Sequence, residues 1–340
     1  MGVFRKNLIT NDWVMFAPNR SARPVELSGK EEADQLEQLM ARPAYKESCP
    51  FCPGNEDPQS REPFRIGNDS NWDVRVLENK YASVDRKLHP NLKQNGLHAE
   101  MEGFGVHDVI IDNRRHNSTM ALFSQEEARL LLLGYREHFN AVACMEHIKH
   151  VVLFKNQGFK AGGSLEHPHS QIYGMPVVPF EAQVRHREMQ KYFEKNKRCL
   201  LGDLMKQELS ERERILYEND DFVSWIPYAA LSPYHIWIVP KRQAASFGSI
   251  SDAELSSLAD MMRHTFHMSF HALRNMDFNY VFQSSTRKRD DDPAGRWYIS
   301  VINHKKRRGG IEFAGGLFVN PLMPEAAAAK LRAVKTKPDP

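Results

Sequence analysis

The sequence lacks any apolar run that approaches the roughly 20 residues needed to cross a bilayer. Its first ten residues contain neither the apolar core of a secretory signal peptide nor the Ser or Thr of a myristoylation site. Little charge of one sign is present, because 46 basic and 43 acidic residues leave a net charge of +3. We therefore expect a cytoplasmic protein with no membrane partner and no nucleic-acid partner.

Cysteine is also scarce, with four residues in 340. Cys49 and Cys52 are three apart, which favours a reduced metal-binding pair over a disulfide framework, although a CxxC alone also fits a redox pair or chance. No second CxxC follows, so further ligands must come from elsewhere in the chain. His116, in a polar loop, and His167 would complete a tetrahedral Cys2His2 set, which is typical of a structural metal site. The alternative is that His116 is an unpaired surface residue.

The 340-residue length exceeds that of a usual single domain, and the sequence contains an internal repeat. A strand, a helix and two further strands are predicted from residue 105 onward, and the same order recurs downstream. The histidines that open the first strands, His107 and His235, are 128 residues apart, and the serines that cap the helices, Ser124 and Ser251, are 127 apart. We predict two halves of one architecture.

The two predicted halves are residues 1–185 and 186–340, joined through a charged segment over 180–219 that favours two connecting helices. The strand of the second half at 297–301 carries no histidine pair. We therefore expect chemistry in the first half only, with the second half degenerate.

The motif at residues 167–171, HPHSQ, places two histidines and a glutamine at alternate positions. In a strand, His167, His169 and Gln171 would project from one face, and Pro168 favours an edge strand or an irregular strand start. A neutral histidine can act as a nucleophile or a general base, whereas a glutamine amide only forms hydrogen bonds. This combination favours group transfer over hydrolysis, and the alternative is a satisfied structural histidine pair.

A small-residue segment precedes the motif. Asn156, Gly162, Gly163 and Ser164 lie just upstream of it, where small residues allow a backbone to approach a ligand closely and to present N–H groups to anionic oxygens. The pattern predicts a phosphate-binding loop.

Two basic segments are ambiguous. Arg20 and Arg23 follow a short predicted strand, and guanidinium groups suit bidentate phosphate contacts, but loop arginines are more often solvated. The basic run at 305–308 is interpreted as a solvated turn between strands.

Taken with the segments APNRSARP, CPFCPGNE, NQGFKAGGSLEHPHSQ and GGIEFAGGLFVNPLMPEAA, the sequence resembles the galactose-1-phosphate uridylyltransferases of the histidine-triad superfamily. The resemblance covers nearly the whole chain. It implies an α+β fold of two fused histidine-triad-like halves, each a mostly antiparallel sheet with helices packed on it.

The resemblance also implies a chemistry. His169 would attack the α-phosphate of a nucleoside diphosphate sugar and form a nucleotidyl-histidine, Gln171 would stabilise the phosphoryl group, and a sugar 1-phosphate would then collect the nucleotide. One structural zinc ion would be held by Cys49, Cys52, His116 and His167.

The resemblance extends to binding residues and to assembly. Arg20 and Arg23 match arginines that reach the nucleotide from the other subunit, which implies a homodimer. The remaining substrate-binding set consists of Asn79 and Lys80 near the nucleoside, Asn156, Gly162, Gly163 and Ser164 at the phosphates, and Leu317 and Phe318 at the hexose.

The sequence departs from the family pattern in two places. Arg185, Ser300 and Ile302 occupy positions where some members hold a second metal ion, so we predict one metal ion. Leu317 and Phe318 replace the Tyr-Glu of the galactose enzymes. The leading hypothesis is uridylyl transfer between UDP-glucose and galactose 1-phosphate. The alternatives are an ADP- or UDP-sugar phosphorylase and a non-catalytic nucleotide-binding protein.

Overall fold

The computed structural model describes residues 2–22, 35–274, 277–285, 290–304, 309–336 and 338. Its strands are β1 (Val3–Lys6), β2 (Trp13–Phe16), β3 (Phe64–Gly67), β4 (Trp72–Glu78), β5 (Leu92–Asn95), β6 (His98–Met101), β7 (Val106–Ile111), β8 (His150–Gln157), β9 (His169–Met175), β10 (Ile215–Glu218), β11 (Phe222–Trp225), β12 (Ile236–Pro240), β13 (Phe278–Gln283), β14 (Tyr298–Asn303) and β15 (Phe318–Asn320). Its helices are α1 (Gln35–Ala41), α2 (Gln125–Ala143), α3 (Phe180–Asn196), α4 (Leu200–Glu211), α5 (Asp252–Leu273), α6 (Gly310–Gly315) and α7 (Pro324–Arg332).

The centre of the molecule is a ten-stranded sheet with the order β10-β11-β12-β14-β13-β8-β9-β7-β4-β3. Its neighbouring strands are antiparallel, and helices pack on it, so the predicted α+β class is confirmed. The two halves are joined by β8 and β13, which pair from Phe278 opposite Gln157 to Phe282 opposite Leu153. The repeated units therefore share one continuous sheet, and neither is left with an open edge at the junction.

The strand registers reproduce the internal repeat. Phe154 of β8 lies opposite Gln171 of β9, and Val281 of β13 lies opposite Ser300 of β14. Because Phe154 and Val281 are related by the repeat, Ser300 occupies the position of Gln171. Tyr298 therefore stands where the first half has the second histidine of HPHSQ.

The two long helices begin where the sequence predicts. Ser124 and Glu127 form a capping box at the start of α2, and Ser251 and Glu254 form one at the start of α5. Such boxes satisfy backbone N–H groups that a helix cannot pair internally. Helices α2 and α5 pack against each other, and their buried residues share one apolar core with the sheet.

The predicted connecting segment forms helices α3 and α4 followed by β10. A separate three-stranded sheet has the order β1-β2-β15. Strands β2 and β15 are parallel, with Phe318 opposite Val14, so the C-terminal segment packs beside the N-terminal strands. Within the described ranges, no helix combines the length and the apolar character that a bilayer crossing requires.

Pro168 does not mark an edge strand. Strand β9 lies between β8 and β7 in the interior of the sheet, so that part of the prediction is wrong. The alternative of an irregular strand start is confirmed, because β9 begins at His169, directly after the proline. The carbonyl oxygen of Pro168 accepts a hydrogen bond from Asp112 N at 3.0 Å, so the missing proline N–H costs the sheet no pairing.

Candidate active site

His169 is the first residue of β9, and its side chain is buried. Its Nδ1 lies 2.8 Å from the carbonyl oxygen of His167. A carbonyl oxygen only accepts hydrogen bonds, so Nδ1 carries the proton and Nε2 keeps its lone pair. Burial, together with the nearby Lys155 cation, lowers the pKa of the His169 imidazole and favours this neutral form.

A buried ion pair lies beside the His169 backbone. Lys155 Nζ is 2.6 Å from Asp112 Oδ2 and 3.0 Å from the carbonyl oxygen of His169. Both side chains are 2% exposed or less, so neither charge is solvated by water. The two charges neutralise each other, and the bond from Lys155 to the His169 carbonyl oxygen holds the main chain at the candidate nucleophile in place.

The ion pair continues into a hydroxyl network on the core face of β9. Ser170 Oγ donates to Asp112 Oδ2 at 3.1 Å, and the Tyr135 hydroxyl lies 2.5 Å from the hydroxyl of Tyr280. Tyr135 and Ser170 are also hydrogen-bonded. Tyr280 belongs to β13, so the second half supports the strand on which the candidate nucleophile lies.

Gln171 is oriented by His107 of β7. Ser83 N donates to Nδ1 of His107 at 3.3 Å, which leaves the imidazole proton on Nε2. That Nε2 lies 2.9 Å from Gln171 Oε1 and donates to it. The amide nitrogen of Gln171 makes no hydrogen bond to another described residue, and its two N–H groups are available to phosphoryl oxygens.

The same pairing exists in the second half. His235 Nε2 lies 2.8 Å from Ser300 Oγ, and these residues correspond to His107 and Gln171 in the repeat. The strand-opening histidines that the sequence analysis used as repeat markers therefore have a physical role. Each one anchors the polar side chain at the equivalent position of a neighbouring strand.

The segment after β8 forms a tight glycine loop. Gly158 and Gly162 both have φ = +83°, a conformation that side chains disfavour. A Cβ on Gly163 would approach the carbonyl oxygen of Gly158 to 2.9 Å and that of Asn156 to 3.1 Å. Ser164 follows and is exposed. These glycines are required by the loop path, and the loop lies open to solvent on one side.

Asn156 is held from the second half of the chain. Asn279 of β13 lies directly opposite it, and Asn279 Nδ2 donates to Asn156 Oδ1 at 2.7 Å and to the carbonyl oxygen of Ala161 at 2.9 Å. The amide nitrogen of Asn156 faces Gly162, whose Cβ position would lie 3.7 Å away. Asn279 is thus a positioning residue for the loop.

The four expected metal ligands meet in one buried cluster. Their ligand atoms all lie within 4.8 Å of one another. Cys49 Sγ and Cys52 Sγ are each 3.6 Å from His167 Nδ1, and Cys52 Sγ is 3.6 Å from His116 Nδ1. Zinc bonds of about 2.3 Å to sulfur and about 2.0 Å to nitrogen at tetrahedral angles give sulfur-to-nitrogen separations of about 3.5 Å. The cluster therefore fits a tetrahedral metal ion.

Hydrogen-bond partners outside the cluster orient both imidazoles. His167 Nε2 donates to the carbonyl oxygen of Asn113 at 2.8 Å, which leaves Nδ1 unprotonated toward the cysteines. His116 Nε2 lies 3.5 Å from the carboxylate of Glu166. Outer partners of this kind fix the orientation of metal-bound histidines.

The other expected binding residues are less closely grouped. Asn79 N donates to the carbonyl oxygen of His107 at 3.1 Å, and Asn79 Nδ2 lies 2.9 Å from the protonated Nε2 without accepting from it, so Asn79 is a neighbour of the residue that orients Gln171. Lys80 is exposed, and it forms an ion pair with Asp57 at 3.8 Å.

Arg20 is exposed on a short 3-10 helix. Arg23 and the basic run at 305–308 lie outside the described residues.

Phe318 lies near the glycine loop although 160 residues separate them. It lines a cavity of about 480 Å3 together with Phe159 and Lys160 of that loop and Glu312. Leu317 is half-buried next to it. The expected hexose segment and the expected phosphate loop therefore border the same open space.

Arg185, Ser300 and Ile302, which mark the second metal site of some relatives, are not grouped around a shared point. Ser300 Oγ is bonded to His235, Ile302 lines the cavity beside Phe318, and Arg185 lines another cavity. Among the described residues, the structure brings three or more potential metal-ligating side chains together in one place, the Cys2His2 set.

Sequence reasoning missed Lys155, Asp112 and Asn279. Each is a polar residue inside or at the end of an otherwise apolar strand. The alternation of side chains along a strand predicts the face of the sheet on which such a residue lies, but not its hydrogen-bond partner. His107 was identified only as a repeat marker, because its partner Gln171 is 64 residues away.

Comparison with known proteins identifies the family. The model of the galactose-1-phosphate uridyl transferase N-terminal domain matches residues 3–179, and that of the C-terminal domain matches residues 185–300. The chain belongs to the galactose-1-phosphate uridyl transferase family.

Relatives of the family span almost the full chain. ADP-glucose phosphorylase of Arabidopsis thaliana is 31% identical over 335 residues, which cover 97% of this chain and 92% of the relative. Galactose-1-phosphate uridylyltransferase of Thermotoga maritima is 25% identical over 344 residues, 98% of each chain. The crystal structure of the Arabidopsis thaliana ADP-glucose phosphorylase with bound ADP-glucose superposes with a TM-score of 0.82 at 28% identity and covers 99% of this chain and 100% of its own.

The buried ion pair gives a first prediction for this family member. Lys155→Met leaves the Asp112 carboxylate buried without its cation, which we expect to lower the free energy of unfolding by about 3–5 kcal/mol. Asp112→Asn in the same background removes the orphaned charge and should recover part of that loss. Urea denaturation of the two single variants and the double variant measures the coupling. Additive single effects would contradict a direct pair.

Proposed function

We propose that the protein is a nucleotidyltransferase that carries a nucleotidyl group on Nε2 of His169. The observation that supports this most directly is the hydrogen bond from Nδ1 to the carbonyl oxygen of His167, which leaves Nε2 as the nucleophilic nitrogen. The family membership and the amide of Gln171, which can donate hydrogen bonds but cannot activate water, agree with transfer.

In the first half-reaction, the Nε2 lone pair attacks the α-phosphorus of a nucleoside diphosphate hexose. The phosphorus–nitrogen bond forms as the bond from that phosphorus to the bridging oxygen breaks, and hexose 1-phosphate leaves with the electron pair. The Nδ1 proton stays in place, and the His167 carbonyl stabilises the positive charge that the ring acquires. Gln171 N–H groups stabilise the phosphoryl oxygens.

In the second half-reaction, a phosphate oxygen attacks the same phosphorus and the electron pair returns to Nε2. Two acceptors are proposed. A hexose 1-phosphate such as galactose 1-phosphate would make the protein a uridylyltransferase that acts on UDP-glucose, in galactose metabolism. Inorganic phosphate would make it an ADP- or UDP-sugar phosphorylase, a candidate that the 31% identity to an ADP-glucose phosphorylase over 97% of the chain favours specifically.

The binding roles follow from this proposal. The nucleoside diphosphate would lie along Asn156, Gly162, Gly163 and Ser164, with the nucleoside near Asn79 and Lys80. The hexose would enter the space beside Leu317 and Phe318.

The proposed organisation is a cytoplasmic homodimer in which Arg20 and Arg23 reach the partner's site. Residues 1–185 would form the catalytic half and 186–340 the degenerate half.

We further propose that the Cys2His2 cluster binds one zinc ion. Two thiolates and two imidazoles suit zinc, and all four positions of the tetrahedron are taken by protein ligands, which assigns the metal a structural role. It would link the segment before β3, the loop after β7 and the start of β9.

The covalent step can be tested by labelling. The protein is incubated with UDP-glucose or ADP-glucose labelled at the α-phosphate and then trapped at alkaline pH, at which phosphohistidine is stable. We expect a labelled protein with at least one donor, no label in His169→Ala, and wild-type label in His98→Ala, whose histidine is exposed on β6. Label that persists in His169→Ala would refute the choice of nucleophile.

The acceptor is then identified by adding galactose 1-phosphate or inorganic phosphate to the labelled protein. Release of label as a nucleotide sugar supports the transferase, and release as a nucleoside diphosphate supports the phosphorylase. Hydrolysis to the nucleoside monophosphate at the same rate without either acceptor would refute transfer.

The zinc proposal predicts about one zinc ion per chain by elemental analysis. Cys49→Ser should lose the metal and lower the melting temperature, because metal binding contributes to folding free energy. Cys144→Ser is the matched control, since that cysteine is exposed and outside the cluster. Equal zinc content in both variants would contradict the assignment.

A further inference from the structure

A second polar cavity lies in the degenerate half, away from the candidate active site. It is open to solvent and has a cavity volume of about 80 Å3. The ends of β13 and β14, the start of β8 and one side of α3 form its walls, which include Gln283, Tyr298 and Arg185. The glycine loop lies at the opposite end of β8.

The repeat makes this cavity the counterpart of the candidate active site. Gln283 is 127 residues after Asn156, and Tyr298 holds the position of His169 according to the strand registers. Ser284, which also lines the cavity, follows Gln283 as the glycine loop follows Asn156. The second half thus keeps the concave site of its fold, with Tyr298 in place of the first half's His169.

The charge of the cavity is one-sided. Lys149, Arg185 and Arg296 line it, and none of its described lining residues is Asp or Glu. The carboxylate of Asp292 lies beside the cavity, 3.6 Å from Nδ1 of the lining residue His186, and accepts from Gln190 Nε2 at 2.9 and 3.0 Å.

The two arginines are not neutralised within the described residues. Arg185 makes no hydrogen bond or ion pair to any of them. Arg296 is buried and donates to the carbonyl oxygens of Pro240 and Lys241 at 2.5 and 2.8 Å and to Gln243 Oε1 at 2.9 Å, all of which are uncharged acceptors. Its Nε has no partner. Buried cations without a counter-charge are costly, and a bound anion would remove that cost.

His150, one of the two histidines that line the cavity, responds to the same positive charge. Burial and the Arg185 cation lower the pKa of His150 to about 4, so the imidazole is neutral near pH 7. A neutral imidazole offers one N–H donor to an anion.

We propose that this cavity is a non-catalytic binding site for a phosphate group, either free phosphate or a phosphate monoester. The Arg185 fork matches a tetrahedral oxyanion, Arg296 offers its unpartnered Nε, and Gln283 and Ser285, which also line the cavity, supply neutral hydrogen bonds. The proposal goes beyond the nucleotidyl transfer and does not depend on it.

The test is calorimetric titration of the full chain with inorganic phosphate and, separately, with glucose 1-phosphate. Arg185→Gln removes the unpaired guanidinium, and Arg187→Gln is the matched control, since Arg187 lies on the same helix, is exposed and pairs with Glu188. Phosphate that binds at the candidate active site contributes equally to all three proteins. Any difference between them therefore isolates the cavity.

We expect Arg185→Gln to weaken one binding event at least tenfold and Arg187→Gln to match the wild type. The probe that binds more tightly identifies the free anion or the ester as the ligand. If Arg185→Gln does not fold, Lys149→Gln replaces it, with the same direction expected. Identical isotherms for the wild type and the cavity variant would overturn the proposal, as would a wild type that binds neither probe. Labelling of His169 is measured in parallel, so failure of this site is distinct from failure of the catalytic proposal.

Discussion

The hydrogen bond between His169 Nδ1 and the carbonyl oxygen of His167 connects the Cys2His2 cluster to the candidate nucleophile. The side chain of His167 faces Cys49 and Cys52, while its carbonyl fixes the tautomer of the next histidine along. A metal ion that holds the first imidazole would therefore also hold the acceptor that orients the second. Under the proposed function, metal binding and chemistry are divided between two histidines that are two positions apart in HPHSQ.

The second half of the chain supports this arrangement from behind. Its strand β13 supplies Tyr280 to the hydroxyl network at Asp112 and Asn279 to the loop residue Asn156. Both contacts cross the junction between β8 and β13. Loss of the second half would leave the buried Lys155–Asp112 pair without part of its enclosure.

Local patterns in the sequence predicted the elements well. The capping serines Ser124 and Ser251, the glycine loop and the strand at HPHSQ are set by residues within a few positions of one another. The repeat offset predicted the architecture, but it did not predict that β8 and β13 join into one sheet. Partners such as Lys155 with Asp112, 43 residues apart, depend on strand order, and strand order is decided by long-range pairing that a single sequence does not display.

The most direct test of the account is the identity of the histidine nitrogen that bonds to phosphorus. The protein is labelled with 15N in its histidines, treated with the nucleotide sugar that labels it, and examined by NMR at alkaline pH. We expect phosphorus–nitrogen coupling to Nε2 of His169. Coupling to Nδ1, or to a histidine other than His169, would contradict it.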